Sequence, residues 1–333
     1  MGGHKSLGTP QTSDLRLPTL VSRLLQSLLL LLLVSALVFA LIYAVPGGPL
    51  TMYLENPNVR PEDIERLRAS LGLDRPLLEQ YLSWLSGFVR GDWGFSYTDG
   101  RPVAVRLIER IPATLELIGV SLIVAILASV PVAVWTAVRP GGWLDRTVNG
   151  ATLAAISLPA FWLALVLQLL FAVWLGWLPS SGRTSVLDRG FSDRIGHILL
   201  PATVLAALHG AAWTRYLRSS MGQALRQRFV LVARAKGAHE RLVRYKHALR
   251  TALLPFVTVV MLDAAIIVSG AVVTESVFAW PGLGGLFYEA LVRRDYTVLM
   301  AFLMLSSATV IVLSALADSL YRALDPRVRV AAA

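Results

Sequence analysis

Apolar positions cluster along this chain into six long runs: Leu24–Val45, Ala113–Val138, Thr147–Leu178, His197–Leu217, Ala252–Val277 and Val298–Leu320. Each reaches the ~20 residues with which an α-helix crosses a hydrocarbon core of about 30 Å. The third run is too long for one straight helix. Pro159, followed by Phe161 and Trp162, predicts a kink near its middle, and Trp174 and Trp177 mark an interfacial end. The first run follows Lys5, Arg16 and Arg23, as the core of a signal peptide would. It is longer than such a core and no small-x-small cleavage site follows it, so it is read as an uncleaved anchor.

Polar stretches between the runs carry a pattern of their own. The first connection, Pro46 to Pro112, holds nine acids and eight basic residues. Within it, Pro61 opens the helix-like "PEDIERLRAS", which Gly72 stops. Asp74 and Pro76 read as cap and first turn of "LLEQYLSWLSGFV", with Leu77, Tyr81, Trp84, Leu85 and Phe88 on one face and Gly91 as its end. This predicts a folded cap packed on the spans. The connection between the fourth and fifth runs differs sharply. From Arg215 to Arg250 it holds ten basic residues and one acid, Glu240. With Arg139 and Arg146, and with Arg322, Arg327 and Arg329 near the C-terminus, the basic positions fall on one side of six alternating spans. The positive-inside rule then places both termini and the basic connection in the cytoplasm, and the Pro46–Pro112 loop outside.

Composition supports a polytopic membrane protein: 55% of the residues are hydrophobic and 16% charged, against nearer a quarter charged in a soluble domain. The net charge of +10 therefore suggests basic loops facing anionic lipid headgroups, and no nucleic-acid partner is expected. The absence of cysteine excludes disulfides, thiolate metal sites and a cysteine nucleophile. Neither a GxxxxGK[ST] phosphate loop nor a GxSxG elbow occurs, and His239-Glu240 does not continue as HExxH because position 243 is Val. The chain is expected to bind no cofactor of its own and to catalyse no covalent chemistry.

Ionisable residues inside apolar runs are costly and mark function or pairing. Glu116 lies near an end of the second run, Asp263 well inside the fifth and Asp318 near the end of the sixth. Asp263 should face a cavity or another subunit. His209 and Gln168 read as packing or interhelical hydrogen-bonding residues. With one central carboxylate and no paired broken helices, a secondary transporter is a poor fit. A transport protein without an energy source must borrow one, and the basic connection is the place. There, "MGQALRQRFVLVARAK" favours a helix whose Ala233 and Ala235 permit close approach of another surface. Gly237 supplies a stop with positive φ, and "ERLVRYKHALRTALL" resumes helical periodicity with Leu242, Tyr245 and Leu249 on one side.

The pair "ARAKG" (Ala233–Gly237) and "HALRTALLP" (His247–Pro255) resembles the coupling region of ABC-importer permeases, in particular the B-type subunit of the dipeptide, oligopeptide and nickel branch. The general pattern is EAAxxxG followed downstream by IxLP. Leu231 and Val232 replace its Glu and first Ala, and His247-Ala248-Leu249-Arg250 replaces IxLP, departures that resemble the peptide branch. "LGLDRPLLEQYLSWL" from Leu71, "GDWGFS" from Gly91, "RIPATLEL" from Arg110, "SLPAFW" from Ser157, "HILLPATVL" from His197, "TESVFAWPGLG" from Thr274, "RRDYTVL" from Arg293 and "LDPRVR" from Leu324 resemble that branch in the same order.

The resemblance implies an all-α transmembrane chain with the six-helix type I importer permease fold and a large first external loop. It implies a cytoplasmic tail 1–23, a first helix and external loop 24–111, a permease core 112–322 with a coupling loop at about 218–250, and a cytoplasmic tail 323–333. The implied complex holds a second permease, two ATPase subunits that bind ATP and magnesium, and an external substrate-binding protein, in a bacterial or archaeal cell membrane. The coupling residues would be Ala233, Arg234, Ala235, Lys236, Gly237, Ala238, His239 and Glu240. Asp263, Glu275, Trp280, Pro281 and Gly282 would line the pathway or its outer gate, with Trp280 also read as an interfacial anchor. Peptides are the implied cargo, with nickel chelates, opines or sugars as alternatives. The reading from another class is a membrane-embedded enzyme or scaffold built around Asp263 and the outer loop.

Overall fold

A computed structural model of the chain describes residues 20–44, 50, 59–70, 72–185 and 190–324. Lys5 and Arg16 of the N-terminal tail, and Arg327 and Arg329 of the C-terminal one, lie outside them, as do the ends of the motifs at Leu71 and Leu324 and the side chains of Asp318 and Arg322. Among the described residues the elements are helical, and a single isolated bridge joins Phe95 to Pro102. The helices are α1 (Leu20–Ala44), α2 (Pro61–Ser70), α3 (Leu77–Val89), α4 (Val103–Val138), α5 (Trp143–Ser157), α6 (Ala160–Leu167), α7 (Phe191–Leu225), α8 (Arg228–Ala235), α9 (Glu240–Leu242), α10 (Arg250–Gly270), α11 (Val272–Val277), α12 (Leu283–Val292) and α13 (Tyr296–Leu324). Gln168–Trp174 and Val243–Leu249 are wider, π-helical turns that prolong α6 and join α9 to α10.

Among the described residues five helices are long and apolar enough to cross a membrane, and α5 with the α6 segment makes a sixth span if the bent pair is counted as one. The kink expected at Pro159 is a bend of 107°. Proline disfavours helical geometry in the residue before it, and Leu158 is extended (φ −83°, ψ 133°). The fifth run also differs from expectation. Its continuous span covers Glu240–Ala264 and the helix is interrupted at Ala271, so Val272–Val277 forms a separate short helix.

α7 is the centre of the bundle. It pairs most extensively with α4 and also packs against α10 and α5. Small residues make this possible: a Cβ on Gly210 would lie 3.6 Å from the Cα of Ala125, so the two backbones nearly touch. Close approach of this kind, rather than hydrophobic exclusion, holds helices together in lipid. Trp213, Leu217 and Met221, further along α7, are fully buried. Hydroxyls inside the bundle bond to the preceding turn, as Thr214 Oγ1 does to the Gly210 carbonyl (2.7 Å) and Ser121 Oγ to that of Leu117 (2.6 Å). These two buried donors are thereby satisfied without water.

The 59–102 segment packs on α1 as the alternating face of α3 predicts. A run of ring contacts links Phe39 to Tyr81 (5.4 Å), Tyr81 to Trp84 (6.2 Å), Trp84 to Phe88 (5.6 Å) and Phe88 to Trp93 (5.1 Å). Leu77 is exposed instead of sharing that face, and Asp74 does not cap α3; Pro76 stands at the cap with no side-chain bond. α2 covers the predicted Pro61–Ser70. The end of the bundle bearing this segment is called the loop end below, and the end bearing α8 the hairpin end.

Candidate functional site

At the hairpin end, α7 stops at Leu225, Arg226-Gln227 make a turn, and α8 begins a separate helix at Arg228. The continuous helix expected across "MGQALRQRFVLVARAK" is thus broken. Val230 and Val243, both fully buried, clasp α8 and the turn after it to the bundle. The other face looks outward: Phe229, Leu231, Val232, Leu242 and Tyr245 are exposed. Ala233, Arg234 and Ala235 form the last turn of α8. Lys236 caps it, and Gly237 follows at φ +78°, where a residue with a Cβ is strained. Ala238 and His239 complete the turn, and the His239 ring accepts a weak bond from the Arg241 N–H (3.4 Å) at the start of α9. Glu240 holds both flanks, with Arg234 Nε at 2.8 Å and Arg244 Nε at 3.4 Å. All three side chains are well exposed, so this clamp orients more than it stabilises.

A second tie stands beside it. Asp145, buried at the start of α5, takes a two-pronged bond from Arg218 of α7 (2.6 and 2.8 Å). It also accepts from Asn149 Nδ2 (3.1 Å) and the Gly141 N–H (2.9 Å).

At the loop end, α11 and α12 fold onto α4. Glu275 is completely buried, and its carboxylate accepts from Thr114 Oγ1 (2.7 Å) and the Gly285 N–H (3.0 Å). The same Thr114 hydroxyl accepts the Leu283 N–H (2.7 Å). The Trp280 indole donates to the Ala113 carbonyl (2.8 Å). Trp280 is 1% exposed, so it is a core plug and not the interfacial anchor that its position suggested. Pro281 and Gly282 make the corner ahead of α12, with Gly282 against the Glu275 carboxylate. A Cβ on Gly284 would come within 2.5 Å of the Val272 Cα. The two glycines are therefore required by close approach of α12 to α11.

Near the middle of the bundle, Asp263 Oδ2 accepts the Trp213 indole N–H at 2.6 Å. The His209 ring lies 6.2 Å from that of Trp213. Asp263 is half-buried on α10, a helix less enclosed by the chain than α7. Gln168 donates to the Ser180 and Val277 carbonyls (2.7 and 3.2 Å), the interhelical role expected of it. Among the described residues no group of three His, Cys, Asp or Glu could hold a metal.

Residues 129–330 match the family described as "Binding-protein-dependent transport system inner membrane component", and 16–118 match the N-terminal part of such membrane components. The chain is 40% identical to the oligopeptide transport system permease protein AppB of Bacillus subtilis (strain 168), over 93% of this chain and 98% of that one. It is 36% identical to the dipeptide transport system permease protein DppB of Escherichia coli (strain K12), over 86% and 91%. The chain belongs to this permease family. A solved structure of the MetNI methionine ABC transporter, inward facing, shares the fold (TM-score 0.55, 23% identity), over 67% of this chain and 98% of that one. The fold is that of type I importer permeases, and the chain is a multi-pass transport subunit, not an enzyme.

Several ties in this permease were not legible as pairs. Glu116 was visible as an intramembrane acid, but its partners are Arg183 and Arg194, with Arg183 Nε at 3.0 Å. Asp295, fully buried, accepts from Ser96 Oγ (2.5 Å), and Arg106 stands 3.6 Å away. Asp99 sits below the ordinary carboxylate range; slight burial opposes ionisation, but the Arg101 N–H, the Ser96 hydroxyl and the Arg106 guanidinium outweigh it. The partners of Glu116 and Asp295 are far apart in the chain, and a single sequence carries no signal that joins them.

Proposed function

We propose that this permease forms half of a translocation pathway for short peptides, with a second permease as the other half, and that two ATPase subunits drive it through the α8–α9 hairpin. The relatives named for oligopeptide and dipeptide transport support the cargo. The observation that carries the coupling role is the outward apolar face of α8, ending in the left-handed turn at Gly237. A solvated loop has no use for Phe229, Leu231 and Val232 on its open side; a groove in a soluble subunit does. The hairpin end is then cytoplasmic, with both termini, and the 59–102 segment faces the external binding protein together with the α11–α12 corner. Asp263 faces the pathway or the second permease, since a carboxylate turned to lipid costs several kcal/mol. ATP-driven closure of the ATPases moves the α8–α9 hairpin, and the motion passes into α7 and α10, which flank the hairpin in the chain. Ala233→Trp fills the space at the last turn of α8. It should release the ATPases, or uncouple hydrolysis from peptide uptake, in reconstituted vesicles while the permease pair still co-purifies. Wild-type coupling in that variant returns the hairpin to a solvated loop.

A further inference from the structure

Where α4 ends at the hairpin end, it borders a groove of about 460 Å³. Trp135, Arg139, Trp143, Arg244 and Tyr245 line it. The three rings are 67%, 77% and 56% exposed, which is unusual for large aromatics unless something apolar covers them. Asp145, the one acid in the groove's lining, is paired with Arg218, and Glu240, outside the lining, is shared by Arg234 and Arg244. Arg139, exposed, enters no ion pair among the described residues. The lining therefore carries net positive charge, Arg139 and Arg244 against Asp145, together with three exposed aromatics. It sits where an apolar span of 36 residues gives way to a polar turn. On the same helix Leu127 and Val124, 70% and 37% exposed, continue an apolar surface from Trp135 toward the bundle middle.

We infer that this groove holds the headgroup of an anionic phospholipid, with its phosphate between Arg139 and Arg244 and its acyl chains along α4. The chemistry is the usual one for a leaflet boundary. Tryptophan and tyrosine settle at headgroup depth, and basic pockets between spans capture anionic heads. The mixed lining suits a molecule with one charged end and a long apolar body, and a soluble protein would leave the α4 surface uncovered. Arg244 and Tyr245 stand on the π-helical turn that follows α9, so the bound lipid also braces the returning limb of the hairpin. The site rests on the reading of the hairpin end as cytoplasmic.

The test uses the complete transporter in phosphatidylcholine nanodiscs doped with spin-labelled phosphatidylglycerol or spin-labelled phosphatidylcholine. The wild type should immobilise phosphatidylglycerol selectively. Arg139→Gln and Arg244→Gln should each lower that selectivity about fivefold, the worth of one basic side chain at a charged surface. Arg241→Gln, outside the groove, should leave it unchanged. Co-purification of the ATPases and the second permease is followed in the same samples. Unchanged selectivity in both groove variants overturns the site. If those variants instead shed the ATPases or the second permease with lipid selectivity intact, the groove is a subunit interface and the lipid assignment fails. A wild-type hairpin end accessible to impermeant reagents from outside would refute the underlying topology separately.

Discussion

Gly237 offers the sharpest test of how the hairpin works, because its surroundings isolate one physical effect. Its φ is +78°, and a Cβ placed there would meet nothing within 4 Å. Substitution in the permease alone therefore creates no clash, and the cost is that of holding an L-residue in a left-handed conformation. That cost is roughly 1 kcal/mol for alanine and about 2 kcal/mol for a branched residue. At 1.4 kcal/mol per tenfold, the observed turn becomes about fivefold scarcer in Gly237→Ala and roughly thirtyfold scarcer in Gly237→Val. Asparagine tolerates this region better than either. Substrate-stimulated ATP hydrolysis and peptide uptake in reconstituted vesicles should fall in the order wild type, Gly237→Asn, Gly237→Ala, Gly237→Val. The melting temperature of the permease pair should not follow that order, since a Cβ at Gly237 meets nothing in the permease and the exposed turn can open locally without unpacking the spans. An asparagine variant as poor as valine would refute the conformational argument and assign the loss to bulk in the docked groove. Valine with full coupling would remove the turn from the mechanism.

Gly284→Ala drives a Cβ into the Val272 backbone and should lower the stability of the pair by about 1–3 kcal/mol, read as an earlier thermal transition; an unchanged transition would mean that the α11–α12 corner is not packed as described. Asp145→Asn leaves Arg218 without its charged partner. Removing one member of a buried pair costs on the order of 3 kcal/mol, and Asp145→Asn with Arg218→Gln together should recover part of the loss in the same melt. Trp213→Phe deletes the indole donor to Asp263. It should weaken peptide transport less than Asp263→Leu, and wild-type transport in the leucine variant would clear Asp263 of any pathway role. A cysteine introduced by Arg90→Cys, at an exposed position, should react with a membrane-impermeant maleimide in intact cells. Reaction only after permeabilisation inverts the topology.

The spans were readable because lipid imposes a simple length-and-apolarity rule. The capping helices of the 59–102 segment were readable because Pro61, Gly72 and Gly91 punctuate them. Pro159 announced a bend but not its size, because proline sets the residue before it and not the path of the helix after it. Trp280 was misplaced for a different reason. A tryptophan next to a breaker at a span end has the composition of an interface anchor, and only the Ala113 carbonyl across the bundle makes it a plug. Glu116, Asp145 and Asp295 share that limit. Glu116 stood out only as an acid in an apolar run, and Asp145 and Asp295 did not stand out at all; each pairs with an arginine brought close by the fold. The hairpin was legible through Gly237, whose conformational demand is local, whereas the break at Arg226-Gln227 follows from Val230 docking against the bundle.

The near-contact of Gly210 with Ala125 also fixes a mechanical ratio. Along α7, at 1.5 Å per residue, Gly210 stands about 24 Å from Arg194 at the loop end and about 12 Å from Arg218 at the hairpin end. Both arginines are tied to neighbouring acids, so the stretch of α7 between them is a beam gripped at two points and resting on a pivot off its centre. A tilt about that pivot moves the Arg194 tie roughly twice as far as the Arg218 tie, so a small shift of the Asp145–Arg218 pair reaches Glu116 and Arg183 magnified.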